Sequence, residues 1–531
     1  MKKILIYTYI LLLLTVSFSA CKKTIDKDYL NPELSTKPII SGFFTAMLNS
    51  DRVRPAYWNL RTFFFPNVSV YAQTTTFDNV PTAYQSIDGY LGNYWSDFYY
   101  PSSNGSGPVA LYRSMQAAYT GLSASDKAAQ EVYLQAAKIV LDERAAKMVD
   151  MWGDIPFSQA GNLETASTIK NPVFDDQKAL YTTLISDLND AATYFGSAKL
   201  AGNVQSAFSK SDILLNGNLV QWQAYANSVR LRLLMRISNY DEAAAKTAVT
   251  TMLSNPSAYP LIDGGNSGSY SPASSDVLLQ PLTTTTSSTL YSALTEIDSY
   301  WATDYKLNKL MVPANDPRIP VIYDKYGHSV NGTFVPNSTY RAMPVTYTTA
   351  QQDTAYYNYS IVDSATFLNN VKMPGIVITA SEVNFLKAEA YQRWGLGDAA
   401  TAYNTALAQS VTFYYYLNNI GGGAVASPSA TDITTFLANP NIAYLGTSDQ
   451  KLALIYNQKW LHFGFLQSDE AWAEYRRTKY PQLTFPVQTL VGYENPPARL
   501  LYPTVEASYN TNYNSVKAKD TRTTKIFWDV K

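Results

Sequence analysis

Catalysis would need nucleophiles, bases or metal ligands in workable combinations, and this chain offers few. His328 and His462 are its only histidines, and Cys21 is its only cysteine. Zinc takes its ligands mainly from those two residue types, so the composition leaves no multi-histidine or Cys/His site. Neither histidine stands in a G-x-S-x-G setting. His462, inside the helical pattern QKWLHFGF, reads as a packed or capping side chain. No G-x-x-x-x-G-K-[ST] loop is present to cradle phosphate. The remaining candidates are carboxylates, because two acids about 5 to 10 Å apart suffice for glycoside hydrolysis. Asp469 with Glu470, or Glu470 with Glu474 one helical turn on, offer such pairs. Their helix ends in Arg476, Arg477 and Lys479, and acids at its start with bases at its end are what the helix dipole and ordinary ion pairing favour. We read these acids as structural, and expect no catalytic residue, no metal and no cofactor.

Binding asks for less. Aromatic residues make up 14% of the chain and 42 residues are Tyr, a side chain that stacks on a ligand while its hydroxyl stays wet. Basic residues number 41 against 42 acidic, and no basic stripe of the kind phosphate binding requires stands out, which argues against nucleic acid as a partner. An apolar content of 46% with 16% charged residues is that of a globular protein. At 531 residues the chain exceeds one simple core, so subregions or a repeat-built body are expected.

The N-terminus carries its own chemistry. Lys2 and Lys3 precede an uncharged run from Ile4 to Ala20, too short for an ordinary membrane span and patterned as an export signal. Cys21 follows at once, with Ser19 and Ala20 before it, and a lone cysteine in an exported chain calls for an explanation. The arrangement resembles a bacterial lipoprotein signal, which implies cleavage after residue 20 and lipid attachment to Cys21. Residues 21–42, with mixed charge, Pro32, Pro38 and no sustained period, read as a tether.

Positioning falls to helices. From Ile378 to Tyr416 the chain reads as a helical hairpin. Thr379 and Glu382 have capping-box spacing, and Val383, Leu386, Ala390 and Trp394 form an apolar stripe. Gly395 and Gly397 stop the first helix, and Asp398 caps the second. Further helices are expected ending at Gly153 and over Gln177 to Tyr194, Asp212 to Ile237, Asp241 to Leu253 and Leu290 to Leu307. Ser448 is placed to cap another, and Asp469 to Arg477 forms one more. Pro55, Pro66 and Pro81 break the stretch from Phe43 to Tyr100 into short helices, and Pro313, Pro317 and Pro320 exclude regular helix. Two irregular stretches stand out as candidate binding surfaces on this scaffold, Val70 to Ser86 and Asp263 to Asn370. The tail from Tyr480 to Lys531 is expected to wrap the helical body.

Several segments, in order, are similar to the SusD/RagB family of outer-membrane nutrient-binding lipoproteins, in its SusD-like branch. They are YLNPELSTKP from Tyr29, MVDMWGDIPFSQA from Met148, NDPRIP from Asn315, the hairpin ASEVNFLKAEAYQRWGLGDAATAYNTALAQS, QKWLHFGFLQSDEAWAEYRRTKYPQL from Gln458, ARLLYPTVEASYNTNYN and the final TTKIFWDVK. The resemblance implies an all-α fold of tetratricopeptide-like helix pairs, forming a right-handed scaffold with long irregular loop insertions in one domain over 43–531. It also implies a protein lipid-anchored in the outer membrane and exposed at the cell surface. Such a protein captures oligosaccharides or oligopeptides and delivers them to a SusC-like TonB-dependent transporter, over which it closes as a lid, with no bond broken.

Loop location and residue type single out Tyr71, Gln73, Tyr84, Trp301 and Tyr340 as ligand-binding candidates. Two rival readings use the same scaffold. One is an exported helical glycoside hydrolase with two acids among its aromatics. The other is a helical-repeat scaffold that binds only protein.

Overall fold

The computed structural model describes residues 39–102, 106–162, 171–265, 270–282, 289–486 and 490–531. Cys21, the export signal and all but the last residues of the tether lie outside them, as do part of the Gly/Ser/Thr-rich stretch 263–276 and all of 283–288. The first described helix, Ile40–Leu48, begins inside the segment read as tether.

Long helices packed in sequence form the body. Ala124–Trp152 starts where the Ser123 side chain accepts the Asp126 N–H and ends at Gly153, whose φ of 82° a residue with a Cβ rarely adopts. It packs on Gln177–Ser197, which packs on Leu219–Ile237, which in turn meets Ala380–Trp394. The last of these pairs with Ala399–Ile420 and also contacts Ser448–Phe463, which is followed by Ser468–Thr478. Among the described residues strands are few, arranged in four two-stranded sheets. The all-α expectation therefore holds. No helix of the described residues is long and apolar enough to cross a membrane.

The hairpin forms as its sequence dictates, with one difference. Thr379 caps the first helix by accepting the Glu382 N–H at 3.2 Å, Gly395 ends it with φ 69°, and Asp398 caps the second. Glu382 does not reach back to complete a capping box. Its carboxylate accepts two hydrogen bonds from Arg232, at 2.5 and 2.8 Å, because a buried guanidinium fork is a stronger partner than a single backbone N–H.

Local expectations fail where tertiary contacts or neighbouring residues offer something better. Pro66 does not break its helix, because the backbone from Leu60 to Val68 widens to a π-helical turn that accommodates the missing N–H. The single helix expected over Leu290 to Leu307 is broken. Thr289–Thr295 ends in turns, Asp298 takes φ 50°, and a π-helical segment resumes only at Tyr305–Met311. Asp212 does not start a helix. Its carboxylate gathers the N–H groups of Leu214, Leu215 and Gly217 and the Trp222 indole, and the helix waits for its cap at Asn218. Thr447, one residue before Ser448, is the actual cap of the next helix and closes a capping box with Gln450. Pro320 sits in the first turn of a short helix, Ile319–Ile322, a position that needs no N–H.

The tail closes the body. Leu500 N–H bonds the Met151 carbonyl at 2.8 Å, Trp152 donates to Leu501 O at 2.9 Å, and the buried Trp528 indole donates to Asp150 at 2.8 Å.

The candidate site: an aromatic cleft at Trp301

The buried carboxylates must be dealt with first, since a hydrolase would need two of them free. Glu389 accepts both terminal nitrogens of Arg477 at 2.7 Å, and Glu474 accepts the same guanidinium at 3.0 and 2.7 Å and lies 2.5 Å from Lys459. Glu470 pairs with Arg236 at 2.5 Å and Arg232 at 3.3 Å, and Asp469 with Lys147 at 2.9 Å. Burial opposes the charge on Glu389 and Glu470, but the surrounding cations outweigh it and hold both near about 2. These acids are neutralised inside the core. His462 is equally committed, fixed between Thr379 Oγ1 at 2.7 Å and Ser410 Oγ at 2.9 Å, and burial with nearby Arg318 and Lys306 keeps it neutral down to about 3.

A different environment lies where the two irregular stretches meet. A cleft of about 410 Å³ is lined by Thr76, Phe77 and Asp78 from the first stretch, and by Asp298, Tyr300, Trp301, Tyr326, Met343, Gln352, Asp353 and Tyr356 from the second. Its floor is Trp301, 7% exposed, held on both sides by the backbone: Val362 N–H donates to Tyr300 O and Ala302 N–H to Ser360 O, each at 2.8 Å. Around the indole stand Tyr300 at 4.5 Å, Tyr326 at 5.4 Å and Tyr356 at 5.5 Å between ring centroids. Tyr356, at the end of the capped helix Thr349–Ala355, keeps 42% of its surface in solvent.

The Gln352 side chain ties this helix to the first stretch. It donates to Phe77 O at 3.1 Å and accepts Asn79 N–H at 3.2 Å, while Thr76 Oγ1 donates to Asp298 O at 3.3 Å. The walls are thus tied to one another by hydrogen bonds, and the rings facing into the opening are preorganised. Asp78 and Asp298 face the same opening. Burial, then repulsion from neighbouring aspartates including Asp353, raises both above the usual carboxylate range. No ion pair engages Asp78, Asp298 or Asp353 among the described residues.

Of the five residues singled out from sequence, Trp301 alone lines this cleft. Gln73 stands behind it, its amide donating to Thr484 O at 2.7 Å, and lines a minute adjoining cavity that shares Thr76, Phe77, Met343 and Gln352. Tyr71 and Tyr84 are corrected by their burial, since both are fully enclosed. Tyr71 packs on Trp472 at 5.3 Å, and Tyr84 between Phe77 and Phe485. Tyr340 is half-buried beneath the Lys325 ammonium, 5.3 Å from its ring, and does not line the cleft. Sequence reasoning missed Tyr300, Tyr326 and Tyr356. The doublets Tyr300-Trp301 and Tyr356-Tyr357, set in polar irregular sequence, were the available signal.

A mostly helical scaffold thus presents a preorganised aromatic cleft, and the acids singled out from sequence, Asp469, Glu470 and Glu474, are held in ion pairs inside the core. The chain belongs to the SusD-like family described as starch-binding and associating with the outer membrane, whose sequence profile matches residues 39–503. Solved structures share the fold. A protein titled chitin-binding superposes with TM-score 0.73 at 21% identity, covering 93% of this chain and 100% of its own. A chitin-binding SusD homologue from Flavobacterium johnsoniae gives 0.69 at 19% identity, covering 92% and 98%, and a SusD homologue from Bacteroides uniformis gives 0.67 at 19%, covering 93% and 99%. No curated protein matches the chain significantly.

Proposed function

We propose that this protein is a cell-surface lipoprotein that captures oligosaccharides in the Trp301 cleft and delivers them to a SusC-like TonB-dependent transporter, acting as its lid. The observation that carries the reading is the cleft itself. A tryptophan floor ringed by three tyrosines offers flat apolar faces for sugar rings, and the unpaired aspartates at its edge offer acceptors for sugar hydroxyls. The family description and the chitin-binding titles of structural neighbours favour glycans over peptides as the ligand. In this reading residues 1–20 are removed, lipid on Cys21 holds the chain in the outer membrane, and residues 43–531 act as one binding domain.

Isothermal titration against malto-, chito- and xylo-oligosaccharides and a peptide panel tests it. Saturable binding of a glycan with no product formed is expected. Turnover of the bound glycan would favour a hydrolase instead, a reading the raised Asp78 and Asp298 make worth testing directly. Cys21→Ala should move the protein from the membrane fraction to the soluble fraction, and unchanged membrane association in the absence of a partner would contradict the anchor.

A further inference from the structure

The Trp301 cleft is not the larger opening on the molecule. A second cleft of about 510 Å³ lies at the end of the Asp88–Tyr99 helix, between the turn following Ile155–Pro156 and the Thr504–Tyr509 helix. It shares no lining residue with the first. Its volume falls within the roughly 300 to 1,000 Å³ of small-ligand sites.

Its walls are firm. Trp95 donates its indole N–H to Glu506 at 2.8 Å, and the other Glu506 oxygen accepts from Asn510 at 3.1 Å. Asp175 holds the far wall by accepting the Phe157 and Ser158 N–H groups at 2.8 Å and the Ser158 hydroxyl at 2.6 Å. Pro156, Pro172 and Val505 supply apolar surface, and Tyr100, 56% exposed, stands beside them. Within this setting the Tyr99 hydroxyl is buried and makes no hydrogen bond. Burial and the neighbouring Glu506 carboxylate keep that phenol protonated, so it remains a donor without an acceptor.

Charge narrows the ligand. Among the described residues Glu506 is the only carboxylate lining the cleft and no Lys or Arg lines it, so an anionic ligand would meet a carboxylate and no countercharge from them. Aromatic and proline faces with hydroxyl and amide groups between them suit a ring that is apolar on its face and hydroxylated at its rim. We infer that this cleft is a second binding site, independent of the Trp301 cleft, for a short neutral oligosaccharide that accepts a hydrogen bond from Tyr99 and stacks against Tyr100.

The inference is tested by titrating wild type, Tyr100→Ala, Tyr99→Phe and Tyr356→Ala with maltohexaose, chitohexaose, xylohexaose and cellohexaose. Tyr100 and Tyr356 are exposed and Tyr99→Phe removes one oxygen, so all three variants should fold, which thermal unfolding checks. Two binding events are expected in wild type for at least one of the four sugars. Tyr100→Ala should abolish one event, Tyr99→Phe should weaken the same event roughly three- to tenfold, and Tyr356→Ala should leave it unchanged. If neither Tyr100→Ala nor Tyr99→Phe alters the titration of any of the four, the second site is refuted while the Trp301 cleft can still stand. Binding that responds to Tyr100→Ala and not to Tyr356→Ala would support the second site and count against the first.

Discussion

Glu389 and Glu470 in the helical core and the aspartates of the Trp301 cleft meet opposite surroundings. Glu389 and Glu470 are enclosed with arginines and lysines, which hold them at about 2 despite their burial. Asp78 and Asp298 are less deeply buried and face other acids, and they are raised. An acid with several cations around it is part of the framework, since removing either partner leaves a buried charge without compensation. An acid in an opening with no cation nearby is left to interact with what enters. The same division separates the aromatics: Tyr71 and Tyr84 are sealed into the body, whereas Tyr356 keeps much of its surface in solvent beside Trp301.

The comparison breaks most visibly if the core network is removed. Glu389→Ala leaves two buried cations, Arg477 and Lys459, to share Glu474 alone and is expected to cost ~3–5 kcal/mol in a denaturant titration. Protein that remains folded should bind glycan as wild type does. A loss under about 1 kcal/mol would mean that the network is not what holds these helices together.

Tyr356→Ala should do the reverse. Affinity for the bound glycan is expected to fall about tenfold, ~1.4 kcal/mol, while the unfolding midpoint stays put, because the ring is half in solvent. Equal effects on both would erase the distinction between scaffold and site.

The smallest effect is the pH response. Burial and neighbouring aspartates raise Asp78 and Asp298, so acceptors for sugar hydroxyls should be lost at a higher pH than ordinary aspartates would give. Glu389 and Glu470 are lowered relative to the unfolded chain. Their contribution to stability is present above the ordinary glutamate value of 4.5 and is lost only as pH falls from there toward about 2. Affinity should therefore start to fall on acidification earlier than unperturbed aspartates would allow, while from neutral pH down to 4.5 these two residues cost the fold no stability. A decline in stability over that range that is abolished by Glu389→Gln would contradict the assignment.

Much of the scaffold was legible because helix signals are local. The Thr379 cap, the Gly395 stop and the Asp398 cap each depend on a few adjacent residues, and each forms. What was not legible depended on distant partners. Nothing near Glu382 announces Arg232, 150 residues away, and nothing near Pro66 announces the π-helical turn that accommodates it. The location of the cleft was half legible. Every residue lining it falls within Val70 to Ser86 or Asp263 to Asn370, since both irregular stretches have aromatics without a helical period to bury them. Which aromatic faces out was not readable there, because Tyr71 and Tyr84 differ from Tyr326 and Tyr356 only in what packs over them.

The most direct test of the cleft is a crystal structure of the protein with the tightest-binding oligosaccharide from the titrations. Sugar rings are expected over Trp301, between Tyr326 and Tyr356, with hydroxyls within hydrogen-bond distance of Asp78 or Asp298. An intact glycan bound elsewhere, with the Trp301 cleft empty at saturating ligand, would contradict the account.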